Sequence, residues 1–264
     1  MAITVKEIME RLKEPIGVIS NTVDSLKTGD PNMEVKGITT SFMPTQYVIE
    51  ESVRLGANLL ITHEGLYYRH MGQTGLGEQN SVGFEKSHLI KESGIAIFRF
   101  HDYWHRYQPD GIMTGLVKCL GWDSYVKENR PTVTIVTIPT MSLNKVAEHI
   151  KKQLGVEYVR ISGNAETPCS RIGLLAGFRG GGELTIPLFE KENLDLLIYG
   201  EGPEWETPEY VRDAIYQGKN KSLIVLGHAE SEASGMKYLA QQIKKIYPHI
   251  PVHFIPENPV FRVL

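Results

Sequence analysis

The run Asn58-Leu59-Leu60-Ile61-Thr62 is apolar at consecutive positions, not alternate ones, and lies between a helical pattern ending at Gly56 and the polar pair His63-Glu64. A strand with two apolar faces has to be covered on both, which is the situation of a parallel strand between layers of helices. Comparable runs occupy residues 95–100, 194–199 and 222–226. Between them the apolar positions fall three and four apart. That spacing predicts helices over 3–13 (stopped by Pro15), 44–55, around 84–92, 112–119, 142–154, near 184–191, 207–217 and 232–246. Further strands are expected at 35–38, 132–138, near 156–162, 171–176 and 251–255. Strands alternating with such helices mean an α/β layered fold with mixed, mostly parallel sheets.

At roughly 100–200 residues per domain, a chain of 264 allows one large domain or two small ones. Polarity rises over 121–131 (GWDSYVKENRP) and Pro131 punctuates it, so the expected division is an N-terminal α/β lobe over 1–125 and a second over 126–264. The segment Leu59 to Gly65 is echoed by Leu196 to Gly202, 137 positions on. Two related lobes would produce this echo, and so would chance repetition of a short strand and turn. The 28 Lys+Arg against 31 Asp+Glu leave a net charge of −3, which argues against nucleic acid as the main partner. Cys119 and Cys169 form no CxxC, which excludes a zinc knuckle or thioredoxin pair and suits a reducing compartment. No apolar run approaches the ~18 residues of a membrane span, and MAITVKEIMERLKEP has no apolar leader core, so a cytoplasmic protein is expected. Nine His against two Cys mean that any bound metal is held by nitrogen and oxygen.

Four apolar strands end in polar residues able to ligate: LLITHEG (His63, Glu64), IAIFRFHDYWH (His101, Asp102, His105), LLIYGEG (Glu201) and SLIVLGHAESE (His228, Glu230, Glu232). In open parallel sheets, ligands gather outside the carboxyl ends of the strands, so these segments can converge. His101 and His105 are four apart, as are His228 and Glu232; on a helical turn each pair shares a face and can chelate. A histidine at one strand end is an ordinary hydrogen-bonded polar residue, and Tyr103, Trp104 and Tyr107 suit a packed aromatic corner; the repetition at several strand ends is what points to a metal. Six N/O donors without sulfur are too many for a closed tetrahedral zinc site and suit two ions of Zn, Mn, Fe, Ni or Co, ~3.5–4 Å apart in the usual two-metal geometry. Gly177-Phe178-Arg179-Gly180-Gly181-Gly182-Glu183 joins a strand to a helix and offers backbone amides to an anion, though a tight turn explains it equally. Tyr67, Tyr68, Trp104 and Tyr107 can stack a heterocycle or simply pack. His70, His88, His149, His249 and His253 carry no functional reading.

With these residues in view, the chain resembles the Nif-three-like (NGG-one-interacting factor three-like) family, often labelled GTP cyclohydrolase type-two homologues. The resemblance runs nearly end to end through VKGITTSF, RLGANLLITHEGLYY, GIAIFRFHDYWH, GLLAGFRGGGE, LDLLIYGEG and LGHAESE. It implies a two-lobed α/β protein with two divalent metals in a cleft between the lobes, commonly a ring-shaped homohexamer. By position the implied ligands are His63, Glu64, His101, His105, His228 and Glu232. Glu64 stands where the family has a second His and His105 where it has Asp, so one carboxylate is gained and one lost. Gly65 replaces a Pro, Tyr199 a Thr, and the inserted domain of longer relatives is absent.

The expectation is a dinuclear metal-dependent hydrolase acting on a small molecule such as a purine nucleotide or phosphoester. Glu201 is read as general base or proton shuttle and Gly180, Gly181 and Gly182 as a phosphate cradle. The rivals are a metal-binding adaptor that turns nothing over and a mononuclear non-haem iron protein, which leaves about half of the donors unexplained.

Overall fold

The computed structural model describes residues 2–70 and 80–264. The chain forms two compact units, one of residues 1–111 with 236–262, the other of residues 112–235 with the last two residues.

The first unit is built on a five-stranded sheet in the order β1 (Leu26–Thr28), β4 (Ala96–Arg99), β3 (Leu59–Thr62), β2 (Ile38–Ser41) and β11 (Val252–Phe254). Every residue of β2, β3 and β4 is buried, as the consecutive apolar positions require. These three and β11 run parallel, and β1 lies antiparallel on the β4 edge. Helix α1 (Val5–Lys13) opens with a capping box between Thr4 and Glu7 and buries Val5, Ile8 and Leu12. Helices α2 (Gln46–Arg54) and α3 (Ser81–Ser93) contribute Val48, Ile49 and Ile90 to a core with Leu60, Ile95, Ile97 and Ile255. The strand expected at 35–38 starts only at Ile38, because the Val35 amide is spent on the carbonyl of Ile3 and Thr4 bridges Glu34. A short helix α4 (Asp102–Arg106) follows β4 directly.

In the second unit a six-stranded sheet has the order β5 (Val126–Asn129), β6 (Thr134–Ser142), β8 (Pro168–Leu175), β9 (Leu196–Tyr199), β10 (Ser222–Val225) and β7 (Arg160–Ser162). β8, β9 and β10 are parallel and the outer strands antiparallel. Five of the nine strand pairings among the described residues are therefore parallel. The polar stretch at 121–131 contains the edge strand β5, three of whose four residues are exposed. Helices α6 (Leu143–Leu154), α7 (Gly182–Lys191) and α8 (Thr207–Tyr216) accompany this sheet, with Leu188, Phe189 and Val211 packed on Leu197, Tyr199 and Leu223. Helix α5 (Gly111–Leu120) meets the first turns of α9 (His228–Ile246) backbone to backbone: a Cβ on Gly115 would lie 2.4 Å from the Cα of Gly235. The echoed segments are β3 and β9, and each has parallel neighbours on both sides. No helix among the described residues is long and apolar enough to cross a membrane.

Candidate metal centre

His63 follows β3, and its amide and that of Glu64 both donate to the carbonyl of Phe42, at 3.0 and 2.8 Å. His101 follows β4 and stands at the N-terminus of α4, where its own side chain makes no cap. The cap comes from Asp24, a buried carboxylate that accepts from the amides of His101 (2.8 Å), Asp102 (3.0 Å) and Tyr103 (2.9 Å). One turn later α4 delivers His105. The rings of His63, His101 and His105 lie 4.3–4.9 Å apart, centroid to centroid, and one ligating atom from each falls within 4.8 Å of the others. These three imidazoles could hold a metal ion.

Two of these rings are backed by carboxylates. Nδ1 of His101 lies 2.9 Å from Oδ1 of Asp102, and Nδ1 of His105 lies 2.9 Å from Oδ2 of the buried Asp110. Its bond to His101 holds the Asp102 carboxyl well below the usual carboxylate range. An ionised carboxylate accepts only, so Nδ1 carries the proton and Nε2 is left as the ligating atom. A carboxylate behind a metal-binding histidine fixes tautomer and ring orientation.

Glu64 is buried, and its Oε2 accepts from Nη2 of Arg99 at 2.6 Å. Its Oε1 lies 3.3 Å from Nδ1 of His70 and 3.8 Å from Nε2 of His101. His70 therefore comes to the site although its sequence context gave no reason to place it there.

The second unit brings three of the residues expected from its strand ends together. β9 ends at Tyr199 and leads through Gly200 to Glu201; β10 leads through Gly227 to His228, the first residue of α9, and Glu232 follows one turn on. Nδ1 of His228 lies 2.8 Å from Oε1 of Glu201, and its Nε2 lies 3.2 Å from Oε2 of Glu232. Burial opposes a charge on His228, but Glu232 and Glu201 outweigh it and raise its pKa to about 9. Gly177 has φ +72, and a Cβ there would sit 2.2 Å from Oε1 of Glu232 and 3.3 Å from Nε2 of His228, so only glycine lets this turn pass the donors.

The glycine turn is held internally. The Gly180 amide donates to the Glu201 carbonyl at 3.0 Å, and the Gly182 amide to Oε2 of Glu206 at 2.6 Å, so a carboxylate stands at the N-terminus of α7. Trp104 is buried against Phe100, Tyr107 and Tyr238, and the Tyr107 hydroxyl donates to the carbonyl of Leu12; both pack. Tyr67 and Tyr68 lie beside the ammonium of Lys86, at 5.9 and 5.8 Å. Tyr68 is exposed, as are Phe178 beside Gly177 and Trp205 beside Glu206.

The Duf34/NIF3 (NGG1p interacting factor 3) family model matches residues 3–259. A Clostridium perfringens protein named GTP cyclohydrolase 1 type 2 homolog is 24% identical over 228 residues, 83% of this chain and 82% of that one. Among solved structures, a Bacillus cereus protein related to NIF3 superposes with a TM-score of 0.78 at 14% identity, over 100% of both chains. The Staphylococcus aureus hypothetical protein SA1388 gives 0.76 at 18% identity, again over 100% of both.

Proposed function

The chain belongs to the Duf34/NIF3 family, and from that premise we propose that it is a dinuclear metal-dependent hydrolase acting on a nucleotide or another phosphoester. His63, Glu64, His101 and His105 take one divalent ion, and His228 and Glu232 the other. The observation that supports this most is the pair of carboxylate-backed imidazoles, His101 on Asp102 and His105 on Asp110, beside the buried His63. The name GTP cyclohydrolase 1 type 2 homolog carried by the curated relatives directs the substrate class to purine nucleotides. The donor set, imidazole and carboxylate without sulfur, suits Zn, Mn, Fe, Ni or Co.

Bound divalent ions lower the pKa of a coordinated water toward neutrality and polarise a phosphoryl or ring-carbon electrophile. The chain's own groups do the rest. Glu201 gives Oε1 to His228 and is half exposed, so Oε2 is the atom that takes a proton from the attacking water and returns it to the leaving group. The turn of Gly180, Gly181 and Gly182 receives the substrate phosphate on the Gly181 and Gly182 amides once the Glu206 carboxylate leaves the latter, while the bond from the Gly180 amide to the Glu201 carbonyl holds the turn in shape. Glu206→Gln is then expected to lower KM for an anionic substrate while kcat holds. The same reading includes a cytoplasmic homo-oligomer, hexameric as in the family, which light scattering checks.

Elemental analysis of purified protein and turnover assays over nucleotide and phosphodiester panels test the proposal. Two ions per chain and metal-dependent turnover that Glu201→Gln abolishes with metal retained are expected. Fewer than about one ion per chain sinks the dinuclear reading. Full loading with no turnover anywhere in the panels replaces the hydrolase by a metal-binding adaptor.

A further inference from the structure

Arg99 closes β4 and is 1% exposed, although its neighbours Ile97, Phe98 and Phe100 are core residues. A guanidinium never gives up its charge in such a place, so its burial has to be matched by acceptors. Four converge on it. Nε donates to the carbonyl of His63 at 3.2 Å, Nη1 to the carbonyl of His70 at 2.5 Å, and Nη2 to Oε2 of Glu64 at 2.6 Å, with Nδ1 of His70 at 3.0 Å from Nη2. One side chain from the strand that leads to His101 thus grips both ends of the segment that carries His63 and Glu64.

This grip has two effects. It fixes Glu64 so that only Oε1 faces His101, which makes the carboxylate a one-oxygen donor. It also decides between overlapping clusters, since Glu64, His70 and His101 bring ligating atoms within 4.8 Å of one another just as His63, His101 and His105 do. His70 Nδ1 already serves as an acceptor for the guanidinium at 3.0 Å, which takes that nitrogen out of a donor set and leaves Glu64 Oε1 with the three imidazoles. We propose that Arg99 is a positioning residue of the metal centre, holding Glu64 and the His63 backbone in the arrangement that binds a divalent ion at His63, Glu64, His101 and His105. This rests on the metal-binding reading given above, and it concerns a residue that touches the ligands and not the ion.

The test uses the whole chain, stripped by chelation, in a His228→Ala background so that the first unit's donors are read. Zinc affinity is measured by competition with a chromophoric chelator, and the cobalt(II) absorption spectrum is recorded at full occupancy. Arg99→Met is expected to weaken zinc binding by about tenfold or more, the usual effect of losing a partner behind the ligands, and to shift the cobalt bands. Arg99→Lys, which keeps a charge beside Glu64 but cannot reach all four acceptors, is expected to recover part of the affinity. In a Glu64→Gln background the Arg99→Met loss is expected to shrink, because part of it acts through that carboxylate. Circular dichroism establishes that each variant is folded; if Arg99→Met is not, Arg99→Lys against Glu64→Gln carries the comparison. A His228→Ala protein that binds neither zinc nor cobalt overturns the metal reading itself. A protein that binds both, with Arg99→Met and Arg99→Lys binding as tightly or more tightly and giving the same cobalt spectrum, overturns only the role of Arg99.

Discussion

If His101 and His105 hold an ion as proposed, the nitrogen of each ring that faces away from it governs how well the other one binds. Asp102 and Asp110 each hold an Nδ1 at 2.9 Å, so Asp102→Asn and Asp110→Asn are expected to weaken zinc binding by roughly 10–100-fold with the helical circular dichroism unchanged. A chelator competition titration checks this, and wild-type affinity in both variants removes the argument. His228 supplies the pH dependence. Its pKa of about 9 in the folded, metal-free chain lies above the ordinary 6.5, so the protonated imidazole stabilises the fold fully below pH 6.5 and loses that contribution as pH rises through 9. The metal-free protein is expected to lose on the order of 2 kcal/mol over that window, discounted for the exposed edge of the ring. His228→Gln flattens the thermal midpoint over the same pH range if this is right. The places of the six candidate ligands were legible: His63, Glu64, His101, His105, His228 and Glu232 stand where apolar strands stop. Arg99 left a signal that the strand pattern hides, one charge in the run AIFRF, where a residue buried on both faces demands a partner. His70, Asp24 and Asp110 left none, because only tertiary packing brings a loop carboxylate or a distant imidazole to these ligands.

The elements present those residues through their ends. Helix α4 is five residues long and owes its start to Asp24, 78 residues before Asp102. Such a helix is marginal by itself, so Asp24→Ala is expected to cost at least the ~1 kcal/mol of an ordinary cap and to release His101 and His105 together. Parallel loss of thermal stability and zinc affinity checks it; a stability loss with wild-type affinity means that α4 holds its rings without the cap. In the second unit the constraint is a turn. Gly177→Ala places a methyl group 2.2 Å from Oε1 of Glu232 in a left-handed conformation, and loss of about one ion per chain by elemental analysis is expected with the chain still folded. The elements that escaped sequence reading include β1 with three half-buried residues, the five-residue α4, the exposed β5, and the first turn of α9, which begins at His228 four residues before the expected 232. Edge strands and helix ends are set by hydrogen bonds to neighbours, and these do not show in periodicity.

For the molecule as a whole, an ion that binds only the folded chain stabilises it by mass action, about 2.7 kcal/mol at a hundredfold excess over Kd. Chelation is therefore expected to lower the thermal midpoint by several degrees, and re-addition of zinc or manganese to restore it; an unchanged midpoint means that no donor set is loaded in the native state. The sequence showed the layered α/β character of both halves through their paired apolar strands, and the echo between β3 and β9 reappears as strands with equivalent parallel neighbours. It did not show that the chain returns to the first unit after Gly235, since no composition change marks the middle of α9. The two donor sets also differ in kind. The first offers three imidazoles and a carboxylate already matched by a guanidinium, whereas the proposed second pair, His228 and Glu232, offers one imidazole and one carboxylate. Imidazole-rich sites favour zinc, nickel or copper, and carboxylate-rich ones tolerate manganese. Under the proposed two-ion reading, the metal-free chain offered zinc and manganese together is therefore expected to take up both, which elemental analysis after gel filtration checks.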